Sequence, residues 1–122
     1  MSVQSIGVDL CEISRIGRIV EQHGERFLNK VFTSAEIAYC TGRYSSAASF
    51  AARFAAKEAL LKALGTGLRG EFYWKDIEVV NNNLGKPEFK LYGETAHALN
   101  GRRILLSLSH SSDHAIAFVV IL

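Results

Sequence analysis

Apolar positions are densest between Ser46 and Leu64, in SAASFAARFAAKEALLKAL. Alanine and leucine rank highest in helix propensity. No proline interrupts the run, and Gly65 and Gly67 follow where a helix should stop. The spacing predicts one long helix over 46–64, with Gly65-Thr66-Gly67 turning the chain out of it. At about 3.6 residues per turn, Phe50, Phe54, Leu61 and Leu64 share one side, and Ala52, Ala55, Ala56, Ala59 and Ala63 the opposite one. A helix apolar on both sides is buried, and its alanine side lets another backbone come close. Between these sides run Glu58 and Lys62, and elsewhere Arg53 and Lys57, each pair spaced i, i+4 and so neighbours. Charge in a buried helix is costly without partners. The plainer reading is a salt-bridged surface stripe; so apolar a segment favours a functional one.

The rest of the pattern reads as strands and shorter helices. Val3–Leu10 alternates, with Ile6, Val8 and Leu10 on one face and Gly7, Asp9 and Cys11 on the other. Asp9 is therefore an acid in an apolar strand, where acids are depleted; capping of the next helix is the plainer role. Ile13–His23 is expected as a helix with Ile13, Ile16 and Val20 inward and Arg15 and Arg18 outward. Gly24 ends it, and Arg26, Phe27 and Lys30 continue a short basic and apolar segment, on composition a solvated face. Thr33-x-x-Glu36 is a capping box opening a helix to about Cys40. Leu68–Tyr73 is expected as a loop or extended stretch. Trp74–Val80 and Pro87–Tyr92, joined by NNNLGK, predict a hairpin, with Pro87 at the start of its strand where a missing donor does least harm. Gly93–Leu99 reads as a helix stopped by Asn100-Gly101, and Arg103–Ser109 and His114–Leu122 as strands joined by a tight polar turn. The last strand is apolar on both faces and needs cover from the chain or a partner. The sum is an α+β fold with a mostly antiparallel sheet of about five strands around a long buried helix.

The 122 residues suit a single domain over 1–122. A net charge of +2 is too mild to argue for nucleic acid, and no aromatic-and-basic strand motif of an RNA binder is present. No apolar run reaches the length of a membrane span. The N-terminus lacks the pattern of a signal peptide. Two distant cysteines, Cys11 and Cys40, fit neither a disulfide framework nor a zinc ribbon and suit a reducing cytoplasm.

Two sets of residues invite chemistry. Ser109-His110-Ser111-Ser112-Asp113-His114 holds the members of a hydrolase triad. They are contiguous, however, and triad members normally converge from separate segments. His110 and His114 have no evident third partner for zinc. Asp9 and Glu58 make the better set. Two convergent carboxylates suit a hard cation such as Mg²⁺, completed by water and substrate phosphates. Lys62 lies one turn beyond Glu58, and Gly65-Thr66-Gly67 offers unhindered backbone N–H groups, which together describe a phosphate site. Neither a Walker loop nor a dinucleotide fingerprint is present.

Four stretches carry a resemblance across almost the whole chain: GVDLCEISRI (7–16), RFAAKEALLKALGTG (53–67), NLGKPEF (83–89) and LSLSH (106–110). In order and spacing they resemble the motifs of the short bacterial holo-acyl-carrier-protein synthases, 4′-phosphopantetheinyl transferases. The resemblance implies transfer of phosphopantetheine from coenzyme A to a serine of an apo acyl carrier protein in fatty acid synthesis. It implies Mg²⁺ held by Asp9 and Glu58, with Lys62 on the phosphates and Arg53 binding the coenzyme. Gly65, Thr66, Gly67, Gly85, Lys86, Pro87, His110 and Ser111 are then expected around the coenzyme. Arg15, Arg18, Arg26, Phe27 and Lys30 are expected to dock the acidic carrier, Phe27 as an exposed aromatic. A homotrimer with active sites between subunits is implied as well. The alternatives are a non-catalytic coenzyme A or nucleotide-binding module, which would not need both acids, and a transferase serving a polyketide carrier.

Overall fold

A computed structural model describes residues 2–65 and 73–122. Thr66, Gly67 and the loop expected from Leu68 lie outside the described residues, except for Tyr73. In chain order the elements are strand β1 (Ser5–Glu12) and helices α1 (Ile13–His23), α2 (Glu25–Val31), α3 (Ser34–Thr41) and α4 (Ser46–Leu64). A 3₁₀ turn (Trp74–Asp76) precedes β2 (Ile77–Asn81) and β3 (Pro87–Leu91); α5 (Gly93–Leu99), β4 (Ile104–His110) and β5 (His114–Ile121) complete the chain. The helix over 46–64 has the bounds its spacing predicts. Ser45 caps it, its Oγ accepting from the Ala48 N–H, and Gly65 closes it in the left-handed region at φ 77°. Thr33 and Glu36 form the reciprocal capping box of α3.

Local signals miss by more than one residue in three places. The first strand begins two residues later than Val3 and runs on through Glu12. Trp74–Asp76 is a 3₁₀ turn, so the hairpin strand starts at Ile77. The segment after Gly24 is a helix of its own, α2.

Among the described residues the five strands are all antiparallel and divide into two sheets, β1-β5-β4 and the β2-β3 hairpin. Helix α4 lies on one face of the larger sheet. Ala115, Ala117, Val119 and Ile121 of β5 and Leu106 of β4 are buried with the helix residues Ala55, Ala56, Ala59 and Ala63. The closest approach is at Gly7. A Cβ there would lie 2.0 Å from the Ala59 carbonyl oxygen and 2.9 Å from the Ala63 nitrogen. Only glycine lets backbone meet backbone at this distance. Ser5 Oγ adds a 2.6 Å hydrogen bond to the Ala63 carbonyl.

This packing decides which face of β1 is inside. Gly7 and Cys11 are buried, whereas the larger Ile6, Val8 and Leu10 are 59%, 47% and 62% exposed. On β5 the same face presents Ile116 and Phe118, and on β4 Leu105. The chain thus covers one face of its last strand and leaves the other apolar face open. Register aligns the open face into rows: Ile6–Val120–Leu105, Val8–Phe118–Ser107 and Leu10–Ile116–Ser109.

Candidate active site

Asp9 is placed by alternation. Odd positions of β1 face α4, and the glycine two residues earlier lets the strand settle on the last turns of the helix. Lys62 Nζ donates to Asp9 Oδ1 at 2.9 Å and to the Val8 carbonyl at 3.1 Å. Expected as the partner of Glu58, Lys62 therefore makes its ion pair across elements, with an aspartate whose side chain is mostly buried. Glu58, half-buried one turn earlier, has its carboxyl pushed above the usual range. Burial is the main cause and the Asp9 charge the next; Lys62 and Arg15 pull in the opposite direction. Asp9, Glu58, Lys62 and Arg15 thus feel one another.

Two carboxylates thus meet one fixed ammonium, Lys62, and the exposed guanidinium of Arg15 in a confined place. Among the described residues no group of three or more His, Cys, Asp and Glu side chains gathers to hold a metal. The donor set fits a hard cation that keeps much of its shell for water and substrate oxygens, as Mg²⁺ does. Gly65, at the end of α4, lies three residues beyond Lys62.

A second cluster lies on the other flank of α4. A groove of about 360 Å³ is lined by Tyr39, Arg43, Arg53, Asn81, Pro87 and His110, among others. Arg53 is buried. It donates from Nη2 to Asn81 Oδ1 at 2.7 Å, its Nε has no partner, and its guanidinium stands 4.1 Å from the centre of the Tyr39 ring. Arg43 lies over the same ring at 5.2 Å. Pro87 reaches the groove from the hairpin, whose turn is held by Asn82 Oδ1 accepting from the Leu84 and Lys86 N–H groups, with Gly85 at φ 84°. His110 closes the groove at the end of β4. Ser111 spends its Oγ on the β4–β5 turn, accepting from the Asp113 and His114 N–H groups.

The two clusters do not meet within one chain. Asp9 pairs with Ala117, and Ala117 with Leu108, which lines the groove. That places the two on the outer strands of the sheet, roughly 10 Å apart at about 4.8 Å per strand, with α4 between them. Arg53 precedes Glu58 by five residues, a rotation of about 140° around the helix.

On α1, Arg15 is exposed yet acts on Glu58 and Cys11. Arg18 is 3.6 Å from Glu12 and donates to Ser14. Arg26 and Lys30 are exposed on α2. Phe27, expected as an exposed aromatic, instead packs inward against Phe32 and Phe54; a seven-residue helix needs an apolar anchor, and Phe27 supplies it. Sequence reasoning missed the groove residues Tyr39, Arg43 and Asn81, which carry no local pattern. It also missed the purpose of Gly7, for which a glycine inside a strand was the available signal.

Residues 5–119 match the family model of the 4′-phosphopantetheinyl transferase superfamily. A holo-[acyl-carrier-protein] synthase of Geotalea daltonii is 47% identical over 122 residues, covering 98% of each chain. The crystal structure of holo-[acyl-carrier-protein] synthase from Neisseria meningitidis superposes with a TM-score of 0.90 at 35% identity, covering 99% of each chain. That from Helicobacter pylori, in complex with coenzyme A, does so with 0.86 at 32%, covering 96% of this chain and 99% of that one.

Proposed function

Because the chain belongs to the holo-acyl-carrier-protein synthase family of the 4′-phosphopantetheinyl transferase superfamily, we propose that its reaction takes place at Asp9, Glu58 and Lys62. That reaction moves the 4′-phosphopantetheine group of coenzyme A onto a serine of apo acyl carrier protein, leaving holo carrier and adenosine 3′,5′-bisphosphate, and serves fatty acid synthesis. The observation that carries the placement is the approach of two carboxylates across β1 and α4, with Lys62 on Asp9.

Asp9 and Glu58 would hold Mg²⁺, which when bound neutralises pyrophosphate charge and polarises the β-phosphate. Lys62, tethered by Asp9 yet half-exposed, directs its ammonium at the phosphate oxygens where charge grows. Glu58 would take the proton of the carrier serine, directly or through a water, with a water held elsewhere as the second choice. As that serine oxygen bonds to the β-phosphorus, the bond to the bridging oxygen breaks, and the oxygen leaves with adenosine 3′,5′-bisphosphate. Phosphoryl-type transfer needs this kind of positioning and charge balance more than covalent help. Thr66 and Gly67 would offer backbone N–H groups to the phosphates; Gly65, expected to do the same, instead spends its N–H on the Leu61 and Lys62 carbonyls that close α4. Arg53, Gly85, Lys86, Pro87, His110 and Ser111 belong to the nucleotide end, on or beside the groove. Arg15, Arg18, Arg26 and Lys30 form the basic face for the acidic carrier.

The active unit is a homotrimer with sites between subunits. Two features support this. The open apolar rows of the three-stranded sheet form the kind of surface that marks association. The groove and the carboxylates also lie on opposite flanks of α4, so a neighbour's groove can complete each carboxylate cluster. The cytoplasm, where coenzyme A and carrier are made, suits two free, buried cysteines.

Incubation with coenzyme A, Mg²⁺ and apo carrier should add one phosphopantetheine to the carrier's mass, and unchanged mass would refute the activity. Mixing Glu58→Ala with His110→Ala protein should restore part of the activity each lacks. A fully active monomer in sedimentation would refute the shared site.

A further inference from the structure

The buried charge of α4 that the chemistry above leaves unused is Lys57. Its side chain is fully buried, and so is that of Glu36, 2.7 Å away. All three ammonium hydrogens are spent: on Glu36 Oε1 and the Val31 carbonyl at 2.7 Å each, and on the Trp74 carbonyl at 3.2 Å. The Phe32 ring lies 5.1 Å below. Glu36 is equally engaged. Its Oε1 also accepts from the Thr33 N–H, and its Oε2 accepts from the Val79 N–H at 2.9 Å. One ion pair thus ties α4 to the end of α2, the start of α3, the 3₁₀ turn and β2.

The direction of this tie matters. The sheet holds α4 at Ala59 and Ala63, where Gly7 touches it. Lys57 is about 200° around the helix from Ala59, at about 100° per residue, and so holds nearly the opposite side. Glu58 and Lys62 project between the two holds. A helix gripped by the sheet on one side alone could roll about that line and swing Glu58 away from Asp9. An apolar residue at 57 would pack but could not choose an angle, whereas three directed hydrogen bonds do.

We propose that Lys57, through Glu36, is a positioning residue for the transfer: its three buried hydrogen bonds set the roll of α4 and so hold Glu58 beside Asp9. This rests on the reading of Asp9 and Glu58 as the metal-holding pair, so the test separates the two. The main variant is Lys57→Met with Glu36→Gln, which removes both charges of the pair, a replacement buried pairs often tolerate, and leaves the neighbouring buried Glu78 to the Thr33 and Tyr92 hydroxyls. Glu36→Gln alone keeps the shape but leaves the buried Lys57 ammonium without its counter-ion, so it is the harsher variant. Folding is checked by near-ultraviolet circular dichroism, Mn²⁺ binding by its paramagnetic resonance signal with coenzyme A present, and turnover by carrier mass.

Glu58→Gln is the reference and should weaken Mn²⁺ binding at least about 10-fold. The folded double variant should weaken it by about 10-fold and lower kcat by roughly 30-fold, as loss of a residue supporting a metal ligand does. The KM for coenzyme A should stay within about threefold, and folded Glu36→Gln should weaken Mn²⁺ binding and lower kcat at least as far as the double variant, by about 10-fold or more. If Glu58→Gln loses Mn²⁺ while the double variant and Glu36→Gln bind it as the wild type does, the positioning role is overturned and the metal reading stands. If Glu58→Gln binds Mn²⁺ normally, the metal reading fails and the positioning role with it.

Discussion

Gly7→Ala tests the packing that builds the site. The added Cβ would sit 2.0 Å from the Ala59 carbonyl oxygen, 3.0 Å from the Ala59 carbonyl carbon and 2.9 Å from the Ala63 nitrogen. All three are backbone atoms of a helix buried on most sides, so no side chain can swing aside. Ordinary contact begins at 3.4 Å, so β1 and α4 must separate by about 1.4 Å along the closest line, the difference between 3.4 and 2.0 Å. Overpacking of this kind costs about 1–3 kcal/mol, which for a domain this size lowers Tm by roughly 3–15 °C. The chemical cost is larger. The Asp9–Lys62 hydrogen bond of 2.9 Å would stretch beyond hydrogen-bonding range, and Glu58 would lose its place opposite Asp9. A misplacement of about 1 Å costs on the order of 100-fold in rate. The expected result is therefore a folded protein with a lower Tm and a kcat down about 100-fold, read by circular dichroism melting and by carrier mass at timed points. Gly17→Ala is the control. A Cβ there would lie 3.9 Å from the Ala47 Cβ, so it fits, and the helix should gain about 0.5–1 kcal/mol. Wild-type melting and turnover in Gly7→Ala would refute the backbone contact as the device that places Asp9.

Asp9→Ala and Glu58→Ala should each keep the fold and lose transfer by at least about 100-fold, the scale of a lost group that stabilises transition-state charge; EDTA should stop the wild type and Mg²⁺ restore it. Near-normal turnover by either variant at ordinary Mg²⁺ sinks the assignment. Arg15→Glu should raise the KM for the carrier at least about 10-fold at low salt, and rising salt should narrow the gap, since such contacts are screened over about 10 Å at 0.1 M. A raised KM for coenzyme A with carrier affinity untouched would instead assign Arg15 to the catalytic cluster, which it neighbours. Glu58 also makes a pH prediction for the metal-free protein. Its folded carboxyl lies above the ordinary 4.5, by burial first and Asp9 second, so between 4.5 and that raised value the folded state binds more protons than the unfolded one. Its contribution to stability is therefore full below 4.5 and is lost as pH rises through the raised value. In EDTA, Glu58→Gln should flatten that decline and melt higher than wild type at neutral pH; parallel Tm-against-pH curves for the two would contradict it.

Much of this protein is legible along the chain because its cues are local. The bounds of α4, α1 and α5 follow from propensity and from Ser45, Gly24, Gly65 and Asn100 at their ends. The capping box of α3 and the 82–86 turn need only neighbouring residues. Asp9 and Glu58 stand out because acids are rare where they sit. Tertiary structure alone decided the rest. Alternation in β1 defines two faces but not which is inside; the contact of Gly7 with Ala59 turned the smaller residues inward and left Ile6, Val8 and Leu10 on the open side. The sequence offered Lys62 to Glu58 at i, i+4, and folding brought Asp9, 53 residues away in the chain, to the same ammonium at closer range. Phe27 turned inward because Phe32 and Phe54 wait there. Arg53 and Lys57, like-charged neighbours on one helix, found separate partners in Asn81 and Glu36, since a buried cation must be matched by whichever acceptors the fold brings to it. Such long-range pairings leave no periodicity in the chain, and only packing selects among the groups able to make them.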